Sequence, residues 1–274
     1  MIVDIHNHIL PCLDDGPKSW DEMLLLAKQA VETGITDVIA TPHHKHQHKD
    51  HFYENNPVHI MNLVEEANEL LKKNAIPLTI YPGIEFHLHE QIQQDIEERL
   101  EDFLSLNSTG VYMLIEPPCH HLPERTDKVL KQLQKVGFIP IIAHPERNRV
   151  LRKNPSIIYN WVKNGILIQV TAGSINGTYG KRLKHFSLHL LDHELVHFVA
   201  SDAHHHSRRQ FELISSYNYI DQHYSSNYRR YLEKNAAQTI HGKTIKILEP
   251  TYIDKRRQYF FFYNHPLNRI TDIR

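Results

Sequence analysis

Seven short β-rich runs alternate with segments of helical periodicity along most of the chain. In chain order, the runs are residues 2–6, 37–43, 78–86, 111–117, 138–145, 166–173 and 196–204. Several are continuous apolar stretches, which is typical of strands buried on both faces. Alternating strands and helices favour parallel pairing with right-handed crossovers. The pattern therefore predicts an α/β fold closed as a (β/α)7 barrel, with an open doubly wound sheet as the alternative.

The first helical segment has clear boundary signals. Ser19 and Glu22 form a capping box, an apolar stripe runs from Trp20 to Val31, and Gly34 ends the helix. Similar amphipathic patterns occupy residues 57–75, 88–105, 125–136, 155–164 and 179–194.

Side chains that can bind a metal ion stand at the carboxyl ends of six of the seven predicted strands. They are His6, His8, His43, Glu85, Glu116, His144, Asp202 and His204, while the sixth strand ends Gln169-Val170-Thr171. Taken singly, a polar residue at a strand end is more often an ordinary solvated side chain than a metal ligand. Because function in such barrels lies at the carboxyl ends of the strands, six coincidences together predict a metal site at that edge.

The donor set indicates which ions the site takes. Histidine and carboxylate without cysteine favour Mn²⁺, Fe²⁺ or catalytic Zn²⁺ over structural zinc. With Asp15 or Asp14 from the first loop, eight or nine groups converge, which is enough for two or three ions. Multinuclear sites of this kind activate water and stabilise the attacking and leaving oxygens of a phosphate ester.

Arginines that can hold a phosphate lie close to these residues in the sequence. Arg147 follows His144 by three positions, and Arg208 and Arg209 follow His204 by four and five. A guanidinium group grips two phosphate oxygens at once, so these arginines are candidate substrate-binding residues.

The composition excludes several classes of partner. The 274 residues carry 31 Lys and Arg against 32 Asp and Glu, so no charge excess points to nucleic acid. No apolar run is long enough to insert in a membrane. Two cysteines give no disulfide framework, so we expect a cytoplasmic protein. We expect one catalytic domain over residues 1–248 and a tail over 249–274 packed on it.

Seven motifs occur in an order that resembles a known family. They are DIHNH, LDDGP, TPH, GIE, LIE, IAHPERN and ASDAH, and the resemblance covers roughly residues 1–245. Together they are similar to the polymerase-and-histidinol-phosphatase (PHP) superfamily. The LDDGP and IAHPERN stretches most resemble its bacterial protein-tyrosine phosphatases of capsule and exopolysaccharide operons, the CpsB/YwqE type.

The resemblance implies a distorted (β/α)7 TIM-like barrel, the PHP fold, with a trinuclear centre that prefers Mn²⁺ and in which Fe²⁺, Zn²⁺ or Mg²⁺ are possible substitutes. It assigns His6, His8 and Asp202 to the first ion, Glu85 as a bridge to a second ion with Glu116 and His144, and Asp15, His43 and His204 to a third. It also implies that Arg147 and either Arg208 or Arg209 bind the substrate phosphate.

The resemblance also implies a substrate: the phosphotyrosine tail of a bacterial tyrosine autokinase that controls polysaccharide synthesis. The leaving phenolate would take a proton from an acid such as Asp14 or a loop histidine. Three alternatives stay open: a small-molecule phosphatase similar to histidinol phosphatase, a nuclease-like phosphoesterase, and a regulator that binds phosphotyrosine without catalysis.

Four other features invite a functional interpretation and are set aside. Cys119 to Arg125 has the C-x5-R spacing of cysteine-dependent tyrosine phosphatases, but Pro123 lacks the N–H that such a loop needs. In the tract HHKHQHKDH (43–51) only His43 is predicted as a ligand, and the rest is expected to be a polar, mobile loop. The histidines at 185, 189, 193 and 197 are interpreted as one solvated or half-buried face. The YFFFY cluster (259–263) is expected to pack against the barrel.

Overall fold

The computed structural model describes residues 1–48, 50–98 and 100–253. The strands are β1 (Val3–Asn7), β2 (Asp37–Ala40), β3 (His43–His44), β4 (His46–His48), β5 (His51–Tyr53), β6 (Thr79–Pro82), β7 (Glu85–His87), β8 (Tyr112–Glu116), β9 (Ile139–Ala143), β10 (Leu167–Thr171) and β11 (Phe198–Ala200). Every one of the seven β-rich runs contains at least one of these strands.

Two parallel sheets form the centre of the fold. One has the order β1-β2-β6, and the other has the order β11-β10-β9-β8-β7-β3. Parallel neighbours joined through helices confirm the α/β class that the sequence predicts.

The sheets adjoin at two places. The predicted strands 37–43 and 78–86 each begin in the first sheet and end in the second, as β2–β3 and β6–β7. Pro42 lacks an N–H, and a Cβ on Gly83 would come within 2.9 Å of Ile39, so the ladder breaks here. On the other side, Asn7 and Ala203 form an isolated parallel bridge. Among the described residues the ladders do not close, so a closed TIM-like barrel is not confirmed.

The helices cover the outer faces of the sheets. They are α1 (Trp20–Glu32), α2 (Pro57–Lys73), α3 (Ile92–Glu98), α4 (Thr126–Lys135), α5 (Arg149–Lys153), α6 (Ser156–Lys163), α7 (Ala172–Asn176), α8 (Lys181–Asp192), α9 (Leu213–His223) and α10 (Ser226–Thr239). Ser19 caps α1 by accepting a hydrogen bond from the Glu22 amide, as predicted. None of the helices in the described part of the chain has both the length and the apolarity needed to cross a bilayer.

Two segments differ from the sequence-based expectation. The helix predicted over 88–105 is shorter, since α3 ends at Glu98 and single 3-10 turns follow at Leu100–Asp102 and Leu106–Ser108, where Asn107 has a left-handed φ of 51°. The tract after His44 contains the antiparallel hairpin β4–β5, in which His46 pairs with Tyr53. The aromatic residues Phe52 and Tyr53 favour a strand, and the prediction of a loop gave them too little weight.

The start of the expected tail contacts the domain. The Thr251 amide donates to the His193 carbonyl (3.1 Å), and Ile253 is 1% exposed. Residues 254–274, which include the YFFFY cluster, lie outside the described residues. The packing of the whole tail therefore stays a prediction.

His197, interpreted from the sequence as part of a solvated or half-buried face, is instead fully buried, and it gives a test of stability against pH. Its Nδ1 accepts a hydrogen bond from the Ile168 amide (3.1 Å), and burial lowers the pKa of this imidazole to about 3. In the unfolded chain a histidine titrates near ~6.5. As the pH falls below that value, His197 becomes protonated in the unfolded chain but stays neutral in the folded chain. We expect His197 to remove up to about 1.4 kcal/mol of unfolding free energy per pH unit.

The variant His197→Asn keeps an acceptor for the Ile168 amide and removes the titration. Urea unfolding at several pH values between 7 and 5 should show a shallower loss of stability in this variant than in the natural chain. Parallel curves for the two proteins would contradict the assignment.

Candidate metal centre

The side chains predicted from the strand ends meet in one cluster at the carboxyl edge of the sheets. Its members are His6, His8, Asp15, His43, Glu85, Glu116, His144, Asp202 and His204. All are buried except Asp15, whose side chain is 24% exposed. Residues far apart in the sequence thus converge on a common volume.

Glu85 lies at the centre of this cluster. Its Oε1 is 3.2 Å from His6 Nε2 and 2.9 Å from His144 Nε2. Its Oε2 is 3.3 Å from His8 Nε2 and 2.9 Å from His43 Nδ1. This buried carboxylate is thus surrounded by imidazoles, which are themselves groups that bind divalent metals.

Asp202 connects the imidazoles to the arginines. Its Oδ1 lies 3.5 Å from His6 Nε2 and 3.4 Å from His8 Nε2. Its Oδ2 forms an ion pair with Arg147 and accepts a hydrogen bond from Arg209 at 2.6 Å. Burial alone would raise the pKa of this carboxyl, but the two guanidinium groups outweigh burial and hold the pKa well below its usual range. Asp202 is therefore a carboxylate at neutral pH.

Asp15 forms a second group of donors with histidines from two other segments. Its Oδ1 is 3.1 Å from His204 Nε2 and 3.6 Å from His43 Nε2. Ligand atoms of these three residues and of His8 all lie within 4.8 Å of one another. This spacing suits side chains that share one ion.

The chemistry of the cluster fits a divalent metal. Among the described residues, several of its buried atoms have no hydrogen-bond partner: His6 Nε2, His8 Nε2, Asp15 Oδ1, His43 Nδ1, Glu85 Oε2, Asp202 Oδ1 and His204 Nε2. Leaving so many buried polar atoms unpaired would be costly without a further partner. Imidazole nitrogens and carboxylate oxygens are ligands of Mn²⁺, Fe²⁺ and Zn²⁺.

Two residues behind the cluster orient its histidines. Gln169 Oε1 lies 3.0 Å from His6 Nδ1, and Asp14 Oδ2 lies 2.6 Å from His8 Nδ1. Both oxygens act as acceptors here, so each Nδ1 carries the hydrogen and each Nε2 offers its lone pair to the cluster. Gln169 explains the one strand end without a candidate ligand: it supports His6, a candidate ligand from β1. The sequence signal for this role was the position of Gln169, an amide side chain near the end of a predicted strand.

Two members of the cluster have a left-handed backbone. His144 has a φ of 30° and Asp202 a φ of 53°. Such conformations are costly for residues other than glycine and persist where the surrounding structure enforces them, often at functional sites. Here they occur in the turns that direct both side chains into the cluster.

The three predicted arginines occupy different environments. Arg147, in the 3-10 turn Pro145–Arg147, and Arg209 both reach Asp202. Their side chains are 20% and 31% exposed, so both can also meet a ligand from solvent. Arg208 is exposed and, among the described residues, forms no ion pair with the cluster. The structure thus distinguishes the two adjacent arginines, which the sequence does not.

Sequence reasoning missed three residues beside the cluster. His46 Nδ1 and His87 Nδ1 lie 2.6 and 2.8 Å from Glu116 Oε2. Burial and the nearby Glu85 would raise the pKa of Glu116, but the hydrogen bonds from these two histidines outweigh them and hold it below its usual value. The Tyr179 ring lies 5.3 Å from the guanidinium of Arg147. His46 falls in the histidine-rich tract, which was the only sequence signal among the three.

The environment of Cys119 does not suit a nucleophilic thiolate. Cys119 and Arg125 are both exposed. Desolvation, and then the carboxylate of Glu116, raise the pKa of the Cys119 thiol. Cysteine nucleophiles require a lowered pKa, so this environment is opposite to the one they need.

The chain matches the protein family described as capsular polysaccharide synthesis, CpsB/CapC, over residues 2–241. It belongs to the CpsB/CapC family. This membership confirms the resemblance found in the sequence motifs, and the match includes every residue of the metal cluster.

Two relatives of the CpsB/CapC family align with nearly the whole chain. The tyrosine-protein phosphatase YwqE of Bacillus subtilis is 39% identical over 261 residues, which are 95% of this chain and 100% of YwqE. The putative tyrosine-protein phosphatase CapC of Staphylococcus aureus is 36% identical over 262 residues, which are 94% of this chain and 99% of CapC.

A solved structure from this family has the same fold. It belongs to a study of YwqE from Bacillus subtilis and CpsB from Streptococcus pneumoniae, which are described there as metal-dependent tyrosine phosphatases. The TM-score is 0.86 at 38% identity, with 93% of this chain and 100% of that chain covered. The shared fold therefore extends over nearly the whole chain.

Proposed function

We propose that this protein is a metal-dependent protein-tyrosine phosphatase. The observation that carries the proposal is the buried histidine and carboxylate cluster, beside which Arg147 and Arg209 both reach one oxygen of Asp202. Metal ions held by such ligands would activate water for attack on a phosphate ester, and the two adjoining arginines can hold the phosphate oxygens. Membership of the CpsB/CapC family, in which relatives are named as tyrosine phosphatases, supports the same activity.

We assign the ligands as the resemblance implies, and the distances support this assignment. The first ion would be held by His6, His8 and Asp202, the second by Glu116 and His144 with Glu85 as the bridge, and the third by Asp15, His43 and His204. Mn²⁺ is the proposed ion, with two or three per chain. When bound, the ions neutralise phosphate charge and lower the pKa of water.

The chain's own residues bind and orient the substrate. Arg147 and Arg209 would bind the phosphate oxygens from the side of Asp202, and the Tyr179 ring supports the guanidinium of Arg147. Asp14 has a different task from the general acid suggested earlier. It is 3% exposed and hydrogen-bonded to His8, so it is better placed to orient that ligand than to meet a leaving group.

The proposed substrate is the phosphotyrosine tail of a bacterial tyrosine kinase that regulates capsule or exopolysaccharide synthesis, and the proposed compartment is the cytoplasm. The match to a family of capsular polysaccharide synthesis supports this context. The exposed free thiols of Cys12 and Cys119 suit a reducing compartment.

We further propose that the two sheets work as one distorted (β/α)7 barrel. Buried residues of both sheets share one small core, to which β1 contributes Ile5, β2 Ile39, β9 Ile141 and β11 Phe198. A common interior of this kind would hold all the strand ends around one site.

Substrate choice tests the proposed function. The Mn²⁺-loaded protein should hydrolyse a tyrosine-phosphorylated peptide with a kcat/KM at least tenfold above that for histidinol phosphate. A preference for histidinol phosphate would indicate a small-molecule phosphatase instead. Binding of the peptide without hydrolysis of either ester would indicate a regulator that only recognises phosphotyrosine.

A further inference from the structure

The two oxygens of Glu116 have different neighbours. Oε1 faces the cluster, 3.8 Å from His144 Nε2. Oε2 lies 3.8 Å from His43 Nδ1 and contacts His46 and His87 at hydrogen-bond distance. These two histidines come from different elements, β4 of the hairpin and the end of β7.

The partner fixes the tautomer of both histidines. A carboxylate oxygen only accepts hydrogen bonds, so Nδ1 of His46 and Nδ1 of His87 must each carry a hydrogen. The rings lie 4.6 Å apart between centroids and meet edge to face. Their side chains are only 14% and 18% exposed, so water competes little for the same oxygen.

We propose that His46 and His87 are a pair of positioning residues that hold Glu116 Oε2 and so direct Oε1 to the metal ions. Nothing in the family resemblance gives either residue a role. The inference rests on the proposed metal centre and adds that the hairpin β4–β5 tunes its affinity. Partners that orient a metal-binding carboxylate typically change metal affinity about 10–100-fold when they are removed.

The two donors serve the same oxygen, so their effects should not add. In His46→Ala or His87→Ala the remaining imidazole still occupies Oε2, and we expect less than about a tenfold loss of Mn²⁺ affinity. In the double alanine variant Oε2 loses both donors, and we expect about a 10–100-fold loss. The number of ions bound at saturation should stay the same, because Oε1 and the other ligands remain.

The experiment is a calorimetric Mn²⁺ titration of the metal-stripped full chain, with bound metal counted by mass spectrometry. The double variant His46→Asn with His87→Asn keeps an N–H donor at each position and should recover most of the affinity. His51→Ala changes an exposed histidine of the same hairpin and serves as the matched control, with unchanged affinity expected. Circular dichroism establishes that each variant is folded.

Three results would overturn this inference. An unchanged affinity in the double alanine variant would mean that Glu116 needs no support from these histidines. Equal losses in the double alanine and double asparagine variants would mean that hydrogen bonding is not what they contribute. Loss of one bound ion would make His46 a ligand, in the group that it forms with His43 and Glu116. A natural chain that binds no Mn²⁺ would instead contradict the proposed metal centre itself.

Discussion

Glu85→Gln is expected to lower kcat/KM for a phosphotyrosine peptide by at least about 10³-fold, which corresponds to about 4 kcal/mol of transition-state stabilisation. Glu85 is fully buried and contacts four imidazoles, two through each oxygen. The amide keeps the size of the side chain but lacks the charge, and its nitrogen cannot act as a ligand. Metal content at saturation should therefore fall with activity.

The control for this variant is Glu66→Gln, the same chemical change at an exposed position of α2. It should keep both the activity and the bound metal. If Glu85→Gln retained activity within tenfold of the natural chain and bound as many ions, Glu85 would not bridge the centre.

The second large effect is expected at Arg209. Arg209→Ala should lower kcat/KM for the same peptide by about 10²–10³-fold, the usual effect of removing one group that stabilises transition-state charge. The reason is geometric: Arg209 reaches both Asp202 and Asp15, at 2.6 and 3.6 Å, and so lies beside carboxylates of two proposed ion sites. Arg209→Lys should recover little, since an ammonium group lacks the planar pair of donors.

Arg208→Ala is the matched control for Arg209, because the two residues are adjacent and only Arg209 contacts the cluster. We expect less than a twofold change in kcat/KM for this variant. A large loss in Arg208→Ala with little change in Arg209→Ala would reverse the assignment of the phosphate-binding arginine.

The positions of the candidate ligands were predictable because each depends on a sequence pattern only a few residues long. Each strand could be recognised from its own apolar run, and parallel strands place their carboxyl ends at one edge. His6, Glu85 and Asp202, which come from strand ends far apart in the sequence, therefore meet as the strand ends predict.

Contacts that depend on tertiary packing were not predictable in the same way. His46 reaches Glu116 across 70 positions of sequence, and the contact depends on how the hairpin β4–β5 packs beside the cluster. Gln169 does not titrate, so a search for metal ligands passes over it, although it orients His6.

The arrangement of the strands in two sheets and the choice between Arg208 and Arg209 were also not predictable, because both depend on local packing. The break at Pro42 and Gly83 divides two predicted strands between the sheets, a detail of local packing that hydrophobic periodicity does not register. Arg208 and Arg209 are chemically identical in sequence, and only the loop conformation after His204 determines which one faces Asp202.

Metal dependence of phosphotyrosine hydrolysis is the most direct test of the central claim. The purified full chain would be assayed before EDTA treatment, after it, and after Mn²⁺ is added back, beside the Cys119→Ser variant. We predict that EDTA abolishes the activity, that Mn²⁺ restores it, and that Cys119→Ser behaves like the natural chain. Activity that survives EDTA and disappears in Cys119→Ser would contradict the metal centre and assign catalysis to the cysteine.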